Sequence, residues 1–112
     1  MFESGLLKGK SIIVTGGGTG LGKSMATRFA ELGADLVITS RRQNVIDETA
    51  SELRNYGQKV LAISCDVRNP DQVQNMVDHT VNEFGKIDIL LNNAAGNFIS
   101  PTENLSPNGF KT

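Results

Sequence analysis

The sequence predicts an α/β fold, a parallel sheet with helices on both faces, and three observations predict it. Four short apolar runs, at 11–15 (SIIVT), 35–39 (DLVIT), 59–64 (KVLAIS) and 87–92 (IDILLN), are rich in Ile and Val and do not alternate with polar residues. That is the pattern of parallel strands buried on both faces. The stretches between them repeat apolar residues at helical spacing, and runs and stretches alternate in the order β-α-β-α-β-α-β, the order of crossover units in one sheet.

The first helical stripe is Leu21, Met25, Phe29 and Leu32. The second is Val45 or Ile46, Thr49, Leu53 and Tyr56, and the third is Val73, Met76, Val77, Val81 and Phe84. Gly33, Gly57 and Gly85 each follow a stripe, as C-terminal caps do. Asn69-Pro70-Asp71 opens the third helix, with proline in its first turn. Crossovers in one sheet are right-handed, which leads to the strand order 3-2-1-4, a Rossmann-type doubly wound arrangement of a mononucleotide-binding half plus one strand. Residues 93–109 read as loop, with Gly96, Pro101, Pro107 and Gly109. Residues 1–112 are accordingly expected to be the N-terminal, dinucleotide-binding part of a single domain, truncated after its fourth strand, which would leave that strand as an open sheet edge.

Composition narrows the function classes. The chain has 112 residues, 38% hydrophobic and 21% charged, a globular balance rather than a disordered or fibrous one. Eleven Lys and Arg face twelve Asp and Glu, with no basic arm or acidic tail, so nucleic-acid binding through bulk electrostatics is disfavoured. One cysteine, Cys65, and one histidine, His79, permit neither a disulfide framework nor a Cys/His zinc site; no metal is expected. Cys65 reads as a small buried residue, and His79, opposite the third stripe, as a solvated one. No apolar run reaches the length of a membrane span and no signal-peptide core is present, so the expectation is no membrane partner and a cytoplasmic location.

The chemistry is concentrated at the ends of the strands. Thr15 to Gly22 reads TGGGTGLG and joins the first strand to the first helix. Gly16, Gly20 and Gly22 form the TGxxxGxG variant of the dinucleotide fingerprint. Gly16 permits a tight turn, Gly20 lets backbone approach a pyrophosphate, and Gly22 lets helix and sheet pack closely, while the helix N-terminus offers free N–H groups to phosphate. The strand–turn–helix context makes the pattern specific, and Gly16, Gly17, Gly18, Thr19, Gly20, Leu21 and Gly22 are its candidate cofactor residues. The second strand ends Thr39-Ser40-Arg41-Arg42. A dinucleotide site built for the 2′-hydroxyl of NAD carries a carboxylate there; a guanidinium suits a 2′-phosphate, so the cofactor expected is NADP(H), gripped by a guanidinium of the Arg41-Arg42 pair. Arg42 is left open between that role and a solvated one. Asp66, at the end of the third strand, is placed either to accept a hydrogen bond from adenine or to cap a turn; Val67, which follows it, is a further candidate cofactor residue. At the end of the fourth strand Asn92 is read as pinning neighbouring strands, and Asn93, Ala94, Ala95 and Gly96 as facing the cofactor.

TGGGTGLG, the CDV at 65–67 and the NNAAG at 92–96 together resemble the short-chain dehydrogenase/reductase family over essentially the whole chain. The extra alanine in NNAAG, the continuation NNAAGNFISPTENLSPNGFK at 92–111, Arg41 and the CDVR at 65–68 are similar to the NADPH-dependent 2,4-dienoyl-CoA reductases of that superfamily. The resemblance implies reduction of polyunsaturated acyl-CoA intermediates of fatty acid β-oxidation to 3-enoyl-CoA, with an acyl-CoA thioester as the substrate partner. It implies that Arg68, Phe98 and Ser106 touch the acyl-CoA and that Asn97 helps hold the thioester oxygen as the one catalytic group in this stretch. It also implies a homo-oligomer, a tetramer, for a complete chain.

One departure stands out. The family's catalytic tyrosine and lysine have no counterpart here: the sole tyrosine, Tyr56, is followed four positions on by Val60, and Lys59 falls one position short. Tyr56 is read as core, and 112 residues alone as inactive. Two readings stay open beside the reductase: an inactive nucleotide-binding fragment, and a related reductase acting on 3-oxoacyl or 2-enoyl thioesters.

Overall fold

A computed structural model describes residues 5–93 and the backbone strand at 98–101. The elements follow in the order β1 (Ser11–Thr15), α1 (Gly20–Glu31), β2 (Asp35–Ser40), α2 (Gln43–Leu53), a 3₁₀ turn (Arg54–Tyr56), β3 (Val60–Ser64), α3 (Pro70–Phe84), β4 (Ile89–Asn92) and β5 (Phe98–Pro101). The sheet order is β3-β2-β1-β4-β5. The first four strands pair in parallel, with Val14 opposite both Ile38 and Leu91. The fold class and the 3-2-1-4 order are as the sequence predicts.

Strand alternation divides the core into two layers. Ile12, Val14, Leu36 and Ile38 face α1 and α2, packing with Ala26, Ala30, Ile46 and Leu53. Ile13 and Val37 face the other way, onto Val73, Met76 and Val77 of α3. Each fully buried Ile or Leu contributes roughly 1.5–3 kcal/mol, and β1, buried along its whole length, is the axis of both layers. Among the described residues β3 has β2 as its only strand neighbour, and it is half-exposed. Its outer edge is paired by a side chain: the Gln43 amide donates to the Ala62 carbonyl at 3.1 Å and accepts from the Ser64 N–H at 3.2 Å. Backbone groups that would otherwise invite another strand are thereby occupied.

Several expectations are corrected. The buried stripe of α1 is Gly22, Ala26 and Ala30, small residues that let the helix lie close to the sheet; Met25 and Phe29 flank it, and Leu21 is 52% exposed. Tyr56 is not core but 46% exposed. The chain tightens into a 3₁₀ turn at Arg54, and three residues per turn carries Tyr56 off the α2 stripe. β4 starts at Ile89 rather than 87, because the Asp88 carboxylate takes the Ser11 N–H at 2.8 Å in place of a strand carbonyl. β4 is also not an open edge. Residues 98–101, read from sequence as loop, pair antiparallel with it, Leu91 opposite Ile99.

The stop signals hold. Gly33, Gly57 and Gly85 all have positive φ. Asn69 caps α3, its side chain accepting from the N–H groups of Asp71 and Gln72. His79 is solvated, as expected, its Nε2 3.8 Å from a Glu83 carboxylate oxygen.

Candidate functional site

The carboxyl ends of β1, β2 and β3 lie side by side, and the segments that leave them build two adjoining clefts. One, of about 330 Å³, is lined by Gly16, Thr39, Ser40, Arg41, Cys65, Asp66, Val67 and Arg68. The other, of about 490 Å³, is lined by Gly16, Gly18, Thr19, Ser40, Arg41, Arg42 and Val45. Gly16, Ser40 and Arg41 belong to both, so the fingerprint turn and the arginine after β2 meet at their seam.

The turn is built for close backbone approach. Gly16 has φ +68° and its N–H donates to the Thr39 carbonyl at 2.7 Å, bending the chain sharply out of β1. A Cβ on Gly17 would lie 2.9 Å from Ile38, and one on Gly18 would lie 2.7 Å from Val45 Cγ1. A Cβ on Gly22 would collide with the Gly16 carbonyl oxygen and sit 2.9 Å from Asn93 Nδ2. Gly20, at φ +57°, faces open space. No side chain caps the start of α1 and its first turn holds no acidic residue. Its leading N–H groups and the positive end of its dipole are therefore available to an anion.

Arg41 is set by a local turn. Ser40 Oγ accepts the Arg42 N–H at 3.1 Å, a serine turn of the kind that bends a chain after a strand. Arg41 and Arg42 are exposed, and neither guanidinium has a hydrogen bond or ion pair among the described residues. Across the cleft the Asp66 carboxylate accepts from the Arg68 N–H at 3.0 Å, from Nε at 3.0 Å and from a terminal nitrogen at 3.1 Å. Those bonds from Arg68, more than the nearby Arg41 charge, hold the Asp66 carboxyl down at about 2. The carboxylate is ionised at any physiological pH and caps the turn after β3. Burial pushes the Cys65 thiol up, only partly offset by the Thr39 hydroxyl, so Cys65 is an inert wall of the first cleft rather than a nucleophile.

On the β4 side, Thr15 Oγ1 donates to Asn92 Oδ1 at 2.8 Å, so Asn92 pins β4 to β1. Asn93 Nδ2 approaches the Gly16 carbonyl at 3.5 Å, bracing the turn from behind. The geometry thus gathers Gly16 to Gly22, Arg41, Asp66, Val67, Arg68 and Asn93 at one end of the sheet. Ala94, Ala95, Gly96, Asn97 and Ser106 lie outside the described residues; Phe98 is placed by its backbone in β5. Sequence reasoning passed over Ser40, Thr39 and Val45. Ser40 carried a usable signal, a serine three residues before the start of a helix.

These residues fit a dinucleotide: a glycine turn packed tightly against β2, α2 and its own backbone at Gly17, Gly18 and Gly22, an uncapped helix start, and guanidinium groups beside it that have no partner among the described residues. Among the described residues no acidic, cysteine or histidine cluster fit for a metal occurs, and no helix is long and apolar enough to cross a membrane.

Comparisons agree with the geometry. The family model described as short chain dehydrogenase matches residues 10–112. A peroxisomal 2,4-dienoyl-CoA reductase of Arabidopsis thaliana is 40% identical over 99% of this chain and 37% of its own length. A probable 2,4-dienoyl-CoA reductase of Bacillus subtilis is 43% identical over 91% of this chain and 40% of its own. Among solved structures, a citronellol catabolism dehydrogenase of Pseudomonas aeruginosa superposes with a TM-score of 0.76 at 38% identity, covering 80% of this chain and 38% of that one. The chain therefore spans about two fifths of the length of the proteins it matches. With its fold, its glycine turn and these matches taken together, the chain belongs to the short-chain dehydrogenase family.

Proposed function

We propose that this chain supplies the NADP(H)-binding part of a reductase acting on 2,4-dienoyl-CoA thioesters. The observation that carries the cofactor assignment is Arg41, unpaired at the seam of two clefts beside an uncapped helix start. The substrate class rests on the NNAAGNFISPTENLSPNGFK segment and on the names borne by the relatives.

In this reading the first cleft takes adenosine. Val67, 36% exposed, offers an apolar edge to the base, and Asp66, fixed by Arg68, accepts from the adenine amino group. Arg41 forks onto the 2′-phosphate, with Arg42 as a second cation nearby. The backbone of residues 16–22 and the start of α1 neutralise the pyrophosphate. Asn93 to Gly96 are assigned to the cofactor on the sequence motif that follows β4. When bound, the cofactor supplies the hydride that reduces the conjugated diene. Asn97 donates a hydrogen bond to the thioester oxygen as negative charge develops there, and Arg68, Phe98 and Ser106 contact the acyl-CoA.

The test measures NADPH oxidation by a complete reductase that contains this chain, with a 2,4-dienoyl-CoA, a 3-oxoacyl-CoA and a 2-enoyl-CoA at equal concentration. The dienoyl thioester is expected to turn over fastest. Faster reduction of either of the others would overturn the substrate assignment, and NADH supporting the same rate as NADPH would overturn the cofactor assignment.

A further inference from the structure

The turn between β1 and α1 contains three consecutive glycines, Gly16, Gly17 and Gly18. Without side chains, such a run has no internal preference for which way its peptide planes face. The direction matters. A carbonyl turned toward a phosphate repels it, whereas an N–H turned toward it binds it. Something outside the run has to choose.

The choice is made from α2. Thr49 is 2% exposed on the inner face of that helix, and its Oγ1 donates to the Gly18 carbonyl oxygen at 2.8 Å across 31 positions of sequence. This is not the usual place for a helical threonine hydroxyl, which bonds the carbonyl one turn back, as Thr27 and Thr80 do here. No cis peptide bond occurs among the described residues, so the N–H of the peptide that joins Gly18 to Thr19 points opposite to its carbonyl. Drawing that carbonyl toward Thr49 turns the Thr19 N–H away from Thr49; Thr19 is exposed and, with Gly18 and with Arg42 and Val45 at the start of α2, lines the second cleft. Two further contacts hold the same joint closed. Gly18 lies so near Val45 and Ile46 that no Cβ fits between them, and Lys23 of α1 pairs with Glu52 of α2 at 2.8 Å.

We propose that Thr49 is a positioning residue for the phosphate-facing turn: its hydroxyl fixes the orientation of the Gly18–Thr19 peptide and so presents the Thr19 N–H to the cofactor pyrophosphate. The proposal rests on the dinucleotide reading of the clefts. It extends the site to a residue that touches no ligand and sits on the helix carrying Arg42 at its start.

The experiment compares two ligands on the full chain: NADPH, and adenosine 2′-monophosphate, which has the adenine and the 2′-phosphate but no pyrophosphate. Thr49→Val keeps the buried volume and removes the donor. Losing one positioned hydrogen bond to phosphate, NADPH is expected to bind about tenfold more weakly, while adenosine 2′-monophosphate binds as to the unaltered chain. Thr49→Ser, which keeps the hydroxyl, is expected to restore NADPH affinity to within about twofold. Unchanged NADPH affinity in Thr49→Val, or equal losses for both ligands, would overturn the proposal. Should Thr49→Val fail to fold, the serine variant decides it from the other side, since a selective loss of NADPH binding with the hydroxyl in place contradicts the mechanism. An unaltered chain that binds neither ligand would refute the dinucleotide reading itself, and the proposal with it.

Discussion

Replacing Arg41 with alanine isolates the feature on which the proposed cofactor choice rests. NADPH and NADH differ only in the 2′-phosphate, so the ratio of their kcat/KM values reports contacts to that group and cancels the rest of the site. A hydrogen bond to a charged group contributes about 1.5–3 kcal/mol, or roughly 10- to 150-fold. Arg41 is exposed, and solvent screening places it in the lower part of that range. No ion pair among the described residues has to be broken before Arg41 engages the phosphate, and Arg42 lines the same cleft, retaining part of the attraction when Arg41 is gone. The expected result is a fall in the NADPH-to-NADH ratio of about 10- to 30-fold, with NADH efficiency changed little. Steady-state kinetics with both cofactors measures it, and direct titration of each cofactor checks that the effect lies in binding. A ratio that stays the same in Arg41→Ala would show that the guanidinium does not meet the 2′-phosphate, and the reasoning from the end of β2 would be wrong.

Two further outcomes follow from the same geometry. Gly22→Ala drives a methyl group into the Gly16 carbonyl and the Asn93 amide and is expected to destabilise the fold by about 3 kcal/mol; Gly20→Ala meets only a positive φ in open space and is expected to cost about 1 kcal/mol, so thermal denaturation should rank the two in that order. The Asp66 carboxyl, held at about 2 against an ordinary 3.8 by Arg68, gives an ion pair that is complete above the ordinary value and lost as pH falls through about 2; carboxyl NMR should show that titration, and Arg68→Gln should move it back up toward the ordinary value, whereas an unmoved midpoint would mean that Arg68 does not hold the carboxylate.

The parallel sheet was legible because burial on both faces leaves unbroken Ile/Val runs in β1 and β2, short enough to be strands rather than buried helix. The caps were legible for a similar reason, since Asn69 before Pro70 and the three glycines after the helices have few alternative uses. The face of α1 was not. Large apolar residues at Leu21 and Met25 draw the eye, yet close packing on the sheet selects Gly22, Ala26 and Ala30, and small residues give no periodic hydrophobic signal. Tyr56 misled in another way, because it continues a 3.6-residue stripe that the backbone abandons at Arg54. β5 carries two residues that argue against a strand, Ser100 and Pro101, and its pairing with β4 depends on a neighbour that local reading does not supply. At the site, the glycine spacing and Arg41 were readable from chemistry. The Thr49 hydroxyl was visible only as one position of a helical stripe, since its partner lies 31 residues away and is a backbone carbonyl.

The central claim is that the clefts at the ends of β1, β2 and β3 receive NADP(H). Amide NMR of the isotopically labelled full chain, titrated with NADP⁺, tests it most directly. The account predicts that the largest shifts fall on residues 16–22, on Ser40, Arg41 and Arg42, and on residues 65–68, while the exposed surfaces around Tyr56 and around His79, on opposite faces of the sheet, stay unchanged. Shifts centred on either remote surface, or none at saturating cofactor, would contradict it.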